Sequence, residues 1–185
     1  MNTLEKKNLE RKNFIKLRKK NTSSVMKNVE INVKLYVDEF FKKAIKKNYI
    51  GIYWPLNNEV DLRSLKEKYP VALPRCEKNK KIIFCSWDDQ PLTKDFMGIL
   101  APDKSNILRY DQISLILIPC LAVDKNLTRL GYGGGYFDQL RGDKNWRAIP
   151  CIGSLTSNCV SNKLLTKAYW DIPLSGFITE KQILG

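Results

Sequence analysis

Between Val25 and Lys47, apolar residues recur at helical spacing: Val29, Val33, Tyr36, Val37, Phe40, Phe41 and Ala44 form one stripe among lysines and acidic residues. That pattern predicts an amphipathic helix whose apolar face needs a sheet to cover. Upstream, Leu4, Leu9, Phe14 and Leu17 mark a looser one-sided pattern in a basic stretch, predicting a solvated helix over about 4–20 that ends at Asn21-Thr-Ser-Ser24. The period then shortens. Tyr49-Ile-Gly-Ile-Tyr-Trp54 is a short β-rich run stopped by Pro55 and reads as a buried strand. A short helix is expected over Leu62–Tyr69, a second strand at Val71-Ala-Leu73, and a third, antiparallel through a local turn, at Lys81–Cys85. Ser114-Leu-Ile-Leu-Ile118 is apolar on both faces and so belongs at the sheet centre. Further strands are expected at Ile149–Ile152 and Gly176–Ile178, with a helical turn at Leu164–Ala168. Alternating strands and helices predict one α/β domain over residues 1–185, a three-layer structure with a mostly parallel central sheet flanked by helices.

Composition narrows the chemistry. A chain of 185 residues with 43% hydrophobic content can bury one core. It has no run near the roughly 18 apolar residues of a membrane span, and Met1–Lys20 lacks the apolar centre of a secretory signal. Cys76, Cys85, Cys120, Cys151 and Cys159 have no Cys-x-x-Cys spacing and there is no histidine, so no zinc site is expected. The cysteines read as reduced core thiols, and a cytoplasmic location follows. The missing histidine removes Ser-His-Asp and Cys-His mechanisms and leaves proton transfer to carboxylates, Lys, Tyr or substrate. A net charge of +13 would attract phosphorylated ligands or nucleic acid. Its lysines are spread along the chain and interleave with no stacking-aromatic motif. A basic nucleic-acid-binding module without catalysis therefore stands as the alternative reading, on the same fold.

The candidate chemistry lies in Arg129-Leu-Gly-Tyr-Gly-Gly-Gly-Tyr-Phe-Asp138, about ten residues past the central strand, after a turn at Asp124, Lys125 and Asn126. Ligands of parallel α/β sheets gather beyond the carboxyl ends of strands. Gly131, Gly133, Gly134 and Gly135 let successive backbone N–H groups face an anion, Arg129 adds a fork of donors, and Tyr136, Phe137 and Asp138 begin a helix. A carboxylate beside bound phosphate makes sense if Mg²⁺ bridges them. The same residues also read as a flexible glycine hairpin with Asp138 as a helix cap. Neither the P-loop pattern nor the Rossmann glycine spacing is present.

In order and spacing, Ile116-Leu-Ile-Pro119, Ala122-Val-Asp124 and Arg129–Asp138 together resemble the signature of the 5-formyltetrahydrofolate cyclo-ligase (5,10-methenyltetrahydrofolate synthetase) family. Tyr53-Trp-Pro with Glu59-Val-Asp61 is similar to its folate-side segment; Leu73-Pro-Arg75 and Ala101-Pro102 also fit. Lys7-x-x-x-Arg11 and Arg18 resemble its nucleotide-contacting helix, and Trp170-Asp-Ile-Pro-Leu174 before Ile178-Thr179 its closing segment. The resemblance implies a Rossmann-like fold of the NagB/RpiA/CoA-transferase type, and an enzyme that closes 5-formyltetrahydrofolate to 5,10-methenyltetrahydrofolate with ATP and Mg²⁺; a monomer is expected. It implies that Lys7, Arg11 and Arg129 through Leu130, Gly131, Tyr132, Gly133, Gly134, Gly135, Tyr136 and Phe137 hold ATP. By the same carry-over, Asp138 and Asp171 hold Mg²⁺, Trp54 and Glu59 touch the folate, and Arg129, Tyr136 and Asp138 are catalytic. Two positions depart from the family pattern: Phe137 stands where a second tyrosine is common, and a histidine common near the C-terminal segment is absent.

Overall fold

The computed structural model describes residues 2–44, 48–88 and 90–185. Helix α1 (Thr3–Arg18) starts at Asn2, whose side chain accepts from the Glu5 amide while Glu5 accepts from the Asn2 amide, a reciprocal cap of two otherwise unpaired donors. Helix α2 (Ser23–Lys43) is capped by Thr22, and Val29, Val33, Val37 and Phe41 form its buried stripe. Of the helix expected over 25–47, residues 45–47 lie outside the described residues.

The strands follow as β1 (Tyr49–Gly51), β2 (Val71–Cys76), β3 (Ile82–Ser86), β4 (Thr93–Lys94), β5 (Leu100–Ala101), β6 (Ile107–Leu108) and β7 (Ile113–Pro119). After these come β8 (Ala122–Asp124), β9 (Arg129–Leu130), helices α3 (Tyr136–Gly142) and α4 (Lys144–Arg147), then β10 (Cys151–Ser154), β11 (Val160–Ser161), β12 (Gly176–Ile178) and β13 (Ile183–Leu184). The main sheet runs β13-β12-β10-β7-β1-β2-β3-β6. Its centre, from β12 to β2, is parallel, and β13, β3 and β6 add antiparallel edges. β11-β8-β9 and β4-β5 form two small sheets.

Three layers follow from the alternation of β7. Leu115 and Leu117 pack under α2 with Ile50, Ile52, Ile152 and Ile178. Ile116 and Ile118 face the other way, onto Phe84, Leu140, Cys151 and Phe177, where α3 and α4 lie. A strand buried on both faces is thus the middle of the molecule. All five cysteines are free and buried. Burial pushes the Cys120 thiol up to about 12, so it is a protonated core group. Among the described residues, no helix is long and apolar enough to cross a membrane.

Several local expectations need correction. The strand expected over Tyr49–Trp54 ends at Gly51, where its register with β2 and β7 ends. The helix expected over Leu62–Tyr69 is a single 3₁₀ segment, Arg63–Glu67. No helix forms at Leu164–Ala168, because the amides of Leu165 and Thr166 are taken by the side chains of Asp124 and Glu10, at 2.9 and 3.0 Å. The strand expected at Val71–Leu73 continues through Pro74 to Cys76, since its pairing with β1 ends at Ala72 and β3 alone is its partner beyond that point.

Candidate active site

β1 and β7 are neighbours and parallel, so the chain leaving each of them emerges at the same end of the sheet. Tyr53 and Trp54 follow β1 there, and Pro119 closes β7. The chain then turns through β8 and β9 and delivers the glycine loop to the same end. Asp124 organises that turn from a fully buried position: one of its oxygens accepts from the amides of Asn126 and Thr128, the other from Leu165. The result is a cleft of about 320 Å³ between the glycine loop, the segment after β1, α1, and the Asp95–Ile99 turn.

Loop residues Gly131 through Gly135 form one wall. Gly133 and Gly135 have φ of 100° and 76°, values that L side chains rarely adopt, so the backbone here needs glycine. Among the described residues, the amides of Gly131 through Asp138 meet no protein acceptor. A run of unpaired N–H groups lining a cleft is the chemistry of an anion cradle. The side chain of Arg129 is only 9% exposed; it donates to Pro119 O at 3.2 Å and to Asp138 Oδ1 at 3.0 Å. Burial works against its charge, yet Asp138 and the neighbouring Cys120 outweigh that and hold the guanidinium above its ordinary value. Tyr136 follows the loop, and desolvation, with Cys76 and Asp95 nearby, pushes its phenol up and keeps it a hydroxyl at neutral pH.

Helix α1 lies across this wall. Arg11 Nε donates to Gly131 O at 3.0 Å, and Lys7 is buried in an ion pair with Asp171, whose carboxylate also accepts from the Ala168 amide. At the other end of the cleft sits Glu59, 6% exposed. One of its oxygens accepts from the Leu56 amide at 2.8 Å; the other is buried without a hydrogen bond, 3.9 Å from Arg18 Nη2. Burial pushes the Glu59 carboxyl above its usual value, against the Leu56 amide and the charges of Arg18 and Arg129. Trp54 is half-buried, with Trp87 edge-on at 5.9 Å and the Arg63 guanidinium 4.6 Å from its ring. It is thus both partly core and part of the cleft lining.

The model of the 5-formyltetrahydrofolate cyclo-ligase family matches residues 3–156. The chain belongs to that family. It is therefore an enzyme of the ligase class in folate one-carbon chemistry. It is 26% identical over 185 residues to the 5-formyltetrahydrofolate cyclo-ligase of Haemophilus influenzae, covering 94% of this chain and 97% of that one. The Escherichia coli K12 cyclo-ligase is 23% identical over 156 residues, covering 77% and 84%. Among solved structures, the 5,10-methenyltetrahydrofolate synthetase of Aquifex aeolicus superposes with a TM-score of 0.77 at 25% identity, over 96% of this chain and 91% of that one. The Mycoplasma pneumoniae 5,10-methenyltetrahydrofolate synthetase gives 0.70 at 27% identity, over 94% and 98%.

In this cyclo-ligase the cleft lining includes every site residue expected from the sequence, from Lys7 and Arg11 through Trp54 and Glu59 to Arg129–Asp138 and Asp171. Arg18, grouped with Lys7 and Arg11 in the sequence, points elsewhere: it donates to Asn58 O and to Tyr132 OH, beside Glu59. Among the other polar or sulfur-bearing cleft residues, Tyr53 was read only as part of the folate-side segment and Cys76 only as a core thiol, and Asp95 went unread. Tyr53 OH donates to Val60 O and meets Ser154 Oγ, both at 2.8 Å, and so fixes the segment leading to Glu59. Asp95 accepts from the amides of Cys76, Met97 and Ile99 and shapes the facing turn. Asp95 had one weak signal, an acidic residue before Phe-Met-Gly98, a turn-forming context.

Proposed function

We propose that the chain converts 5-formyltetrahydrofolate to 5,10-methenyltetrahydrofolate with ATP and Mg²⁺, releasing ADP and phosphate. One observation carries this reading: an anion cradle of unpaired amides with Arg11 and Arg129, and a buried carboxylate with an unpaired oxygen, Glu59, line one cleft. The two halves suit two different substrates that must react with each other. The cradle fits a polyphosphate. Glu59 and Trp54 fit a flat heterocycle that carries amine donors.

In the reaction, the formyl oxygen on N5 attacks the terminal phosphoryl group and ADP leaves. N10 then attacks the activated formyl carbon, its proton is lost, and phosphate departs as the ring closes. The protein's contribution is to position and to stabilise charge, which is consistent with the absence of histidine. Loop amides and Arg11 would bind phosphate oxygens, and Arg129, fixed by Pro119 O and Asp138, would face the charge that develops on the transferred group. Glu59 would hold the pterin by accepting from its amines. Tyr136 would offer a hydroxyl to the same phosphate.

The donor set fits Mg²⁺ delivered with the nucleotide. Asp138 and Asp171 each engage one oxygen with a protein donor and keep the other without a hydrogen bond among the described residues. One or two carboxylates together with phosphate oxygens and water would be enough to hold such a cation. When bound, the cation neutralises phosphate charge.

The direct test is absorbance of the methenyl product after mixing the protein with 5-formyltetrahydrofolate, Mg²⁺ and ATP. Product that requires ATP is expected, and its absence refutes the reading. Asp138→Ala is expected to lower turnover at least about tenfold, the scale of one lost charge-stabilising contact. Near-normal turnover of this variant at saturating Mg²⁺ would remove Asp138 from the reaction.

A further inference from the structure

Alternate glycines of the loop each have a cation packed against the face where a side chain would begin. A Cβ added at Gly131 would lie 2.9 Å from Arg129 Nη1, and one at Gly133 would lie 3.2 Å from Arg11 Cζ. At Gly135 the neighbour is Lys80: Cδ at 3.5 Å and Nζ at 3.8 Å. Arg129 belongs to the loop itself and Arg11 reaches it from α1. Lys80 comes from a third direction, the turn between β2 and β3.

That turn is held in an unfavourable form. Asn79 and Lys80 are consecutive non-glycine residues in the left-handed region, at φ 58° and 60°. Asparagine tolerates this conformation, but lysine gains nothing from it locally. What fixes the turn is Gln139 of α3: with its amide nitrogen facing the turn, it reaches Asn79 O at 3.0 Å and Lys80 O at 2.6 Å. Glu77 N also donates to Lys81 O at 2.7 Å and closes the turn. Since α3 begins immediately after Gly135, the helix that anchors one end of the glycine loop also anchors the backbone of Lys80. The strained turn and the loop are therefore set in register with each other.

The charges around the loop are unevenly matched. Arg129 is paired with Asp138 and Lys7 with Asp171. Among the described residues, neither Arg11 nor Lys80 has a carboxylate within ion-pair distance. Two cations without carboxylate partners, against a run of amides without acceptors, call for an anion with several negative oxygens.

We propose that Lys80 is a phosphate-binding residue of this cyclo-ligase, gripping the polyphosphate of the nucleotide from the β2–β3 side while Arg11 holds it from α1. The proposal rests on the reading of the loop as a nucleotide site. A lysine suits the task because its mobile stem carries a point charge that follows a phosphate as it changes from substrate to product.

The test titrates the full-length protein with ATP and, separately, with inorganic tripolyphosphate, by calorimetry, and measures KM for ATP and for the folate. Lys80→Ala is expected to weaken binding of both anions about tenfold and to raise KM for ATP similarly, with KM for the folate unchanged. Lys80→Arg should stay within about threefold of wild type, and Lys78→Ala, an exposed neighbour in the same turn, should bind both anions as wild type does. Lys80→Gly separates a ligand role from a structural one: it relieves the left-handed backbone, so it should melt no lower than wild type and still lose anion binding. Binding by Lys80→Ala and Lys80→Gly within twofold of wild type overturns the proposal. Wild-type protein that binds tripolyphosphate but forms no methenyl product refutes the proposed reaction and leaves Lys80 to be judged by its binding data. Wild-type protein that binds neither anion overturns both.

Discussion

Glu59 carries the clearest electrostatic cost among the residues lining the cleft. Its carboxylate is buried, one oxygen lacks a hydrogen bond, and Arg18 is too distant at 3.9 Å to supply one. Because burial raises its folded pKa above the ordinary 4.5, the native state holds this proton to higher pH than the unfolded chain does. Stability from this group therefore falls as pH rises from about 4.5 through the folded value, and the ionised form carries the full penalty above it. Glu59→Gln, neutral and nearly the same shape, is expected to be more stable at pH 8 by about 1 kcal/mol, a rise in Tm of roughly 2–4 °C. The same variant should raise KM for the folate about tenfold. Wild-type kcat/KM for the folate should climb as pH passes upward through the folded value, and the Gln variant should lack that step. A less stable Gln variant would mean that attraction to Arg18 outweighs burial. The placement of Glu59 and Trp54 in the cleft was legible through the family segment around them, and that of the glycine loop through its glycines and its position after the central strand. Arg18 was not legible as a partner of Glu59, because its contacts lie 40 and 114 residues away and no local pattern encodes them.

At the scale of elements, α1 differs from α2 in what holds it. α2 buries a continuous apolar stripe, whereas α1 exposes Leu4 and Leu9 and sends only Phe14 and Ile15 toward the core. Polar contacts hold the rest of α1: Lys7 to Asp171, Glu10 to the Thr166 amide and hydroxyl, Arg11 to Gly131 O, Arg18 to Asn58 O and Tyr132 OH. Such contacts are weaker under solvent access and salt than apolar burial, so α1 should open locally at a lower free energy than the sheet. Hydrogen exchange is expected to show α1 amides exchanging at least about tenfold faster than those of α2 and β7. Saturating ATP should slow them by tethering Lys7 and Arg11, and Asp171→Asn should quicken them. Protection in α1 equal to that in α2 would show that the polar contacts act as one rigid unit. Periodicity revealed both helices, but not this difference, since it records which residues are apolar and not which partners the polar ones find. The same limit explains Leu164–Ala168, where side chains of Asp124 and Glu10, far away in sequence, take the amides a helix would need. The two-residue strands β4, β5, β6, β9, β11 and β13 are too short to carry any period at all.

For the whole molecule, the three-layer plan was legible because β7 is apolar on both faces and α2 on one. The strand order was not, because pairing of β7 with both β1 and β10 joins segments more than thirty residues apart on either side. Net charge posed the remaining question, whether +13 signals a nucleic-acid partner. Many of the basic groups are locally matched, as in Lys27 and Lys34 with Glu30, Lys68 with Asp38, and Lys104 with Glu77. Of the basic groups against the glycine loop, Arg11 and Lys80 have no carboxylate partner among the described residues, and a polyphosphate would fit there. A long-range field of this sign should still draw any polyanion toward the cleft at low salt, where the screening length exceeds 10 Å. Single-stranded RNA is therefore expected to compete with ATP at about 0.02 M salt and to lose that effect by about 0.2 M, as contacts made only to phosphates do. ATP itself, held by amides and shaped contacts as well as by charge, should keep a measurable KM at 0.2 M, raised only a fewfold. RNA that still binds at 0.2 M without raising the KM for ATP would place a dedicated nucleic-acid surface elsewhere on the molecule, because occupancy of the cleft would then be ruled out by the unchanged kinetics.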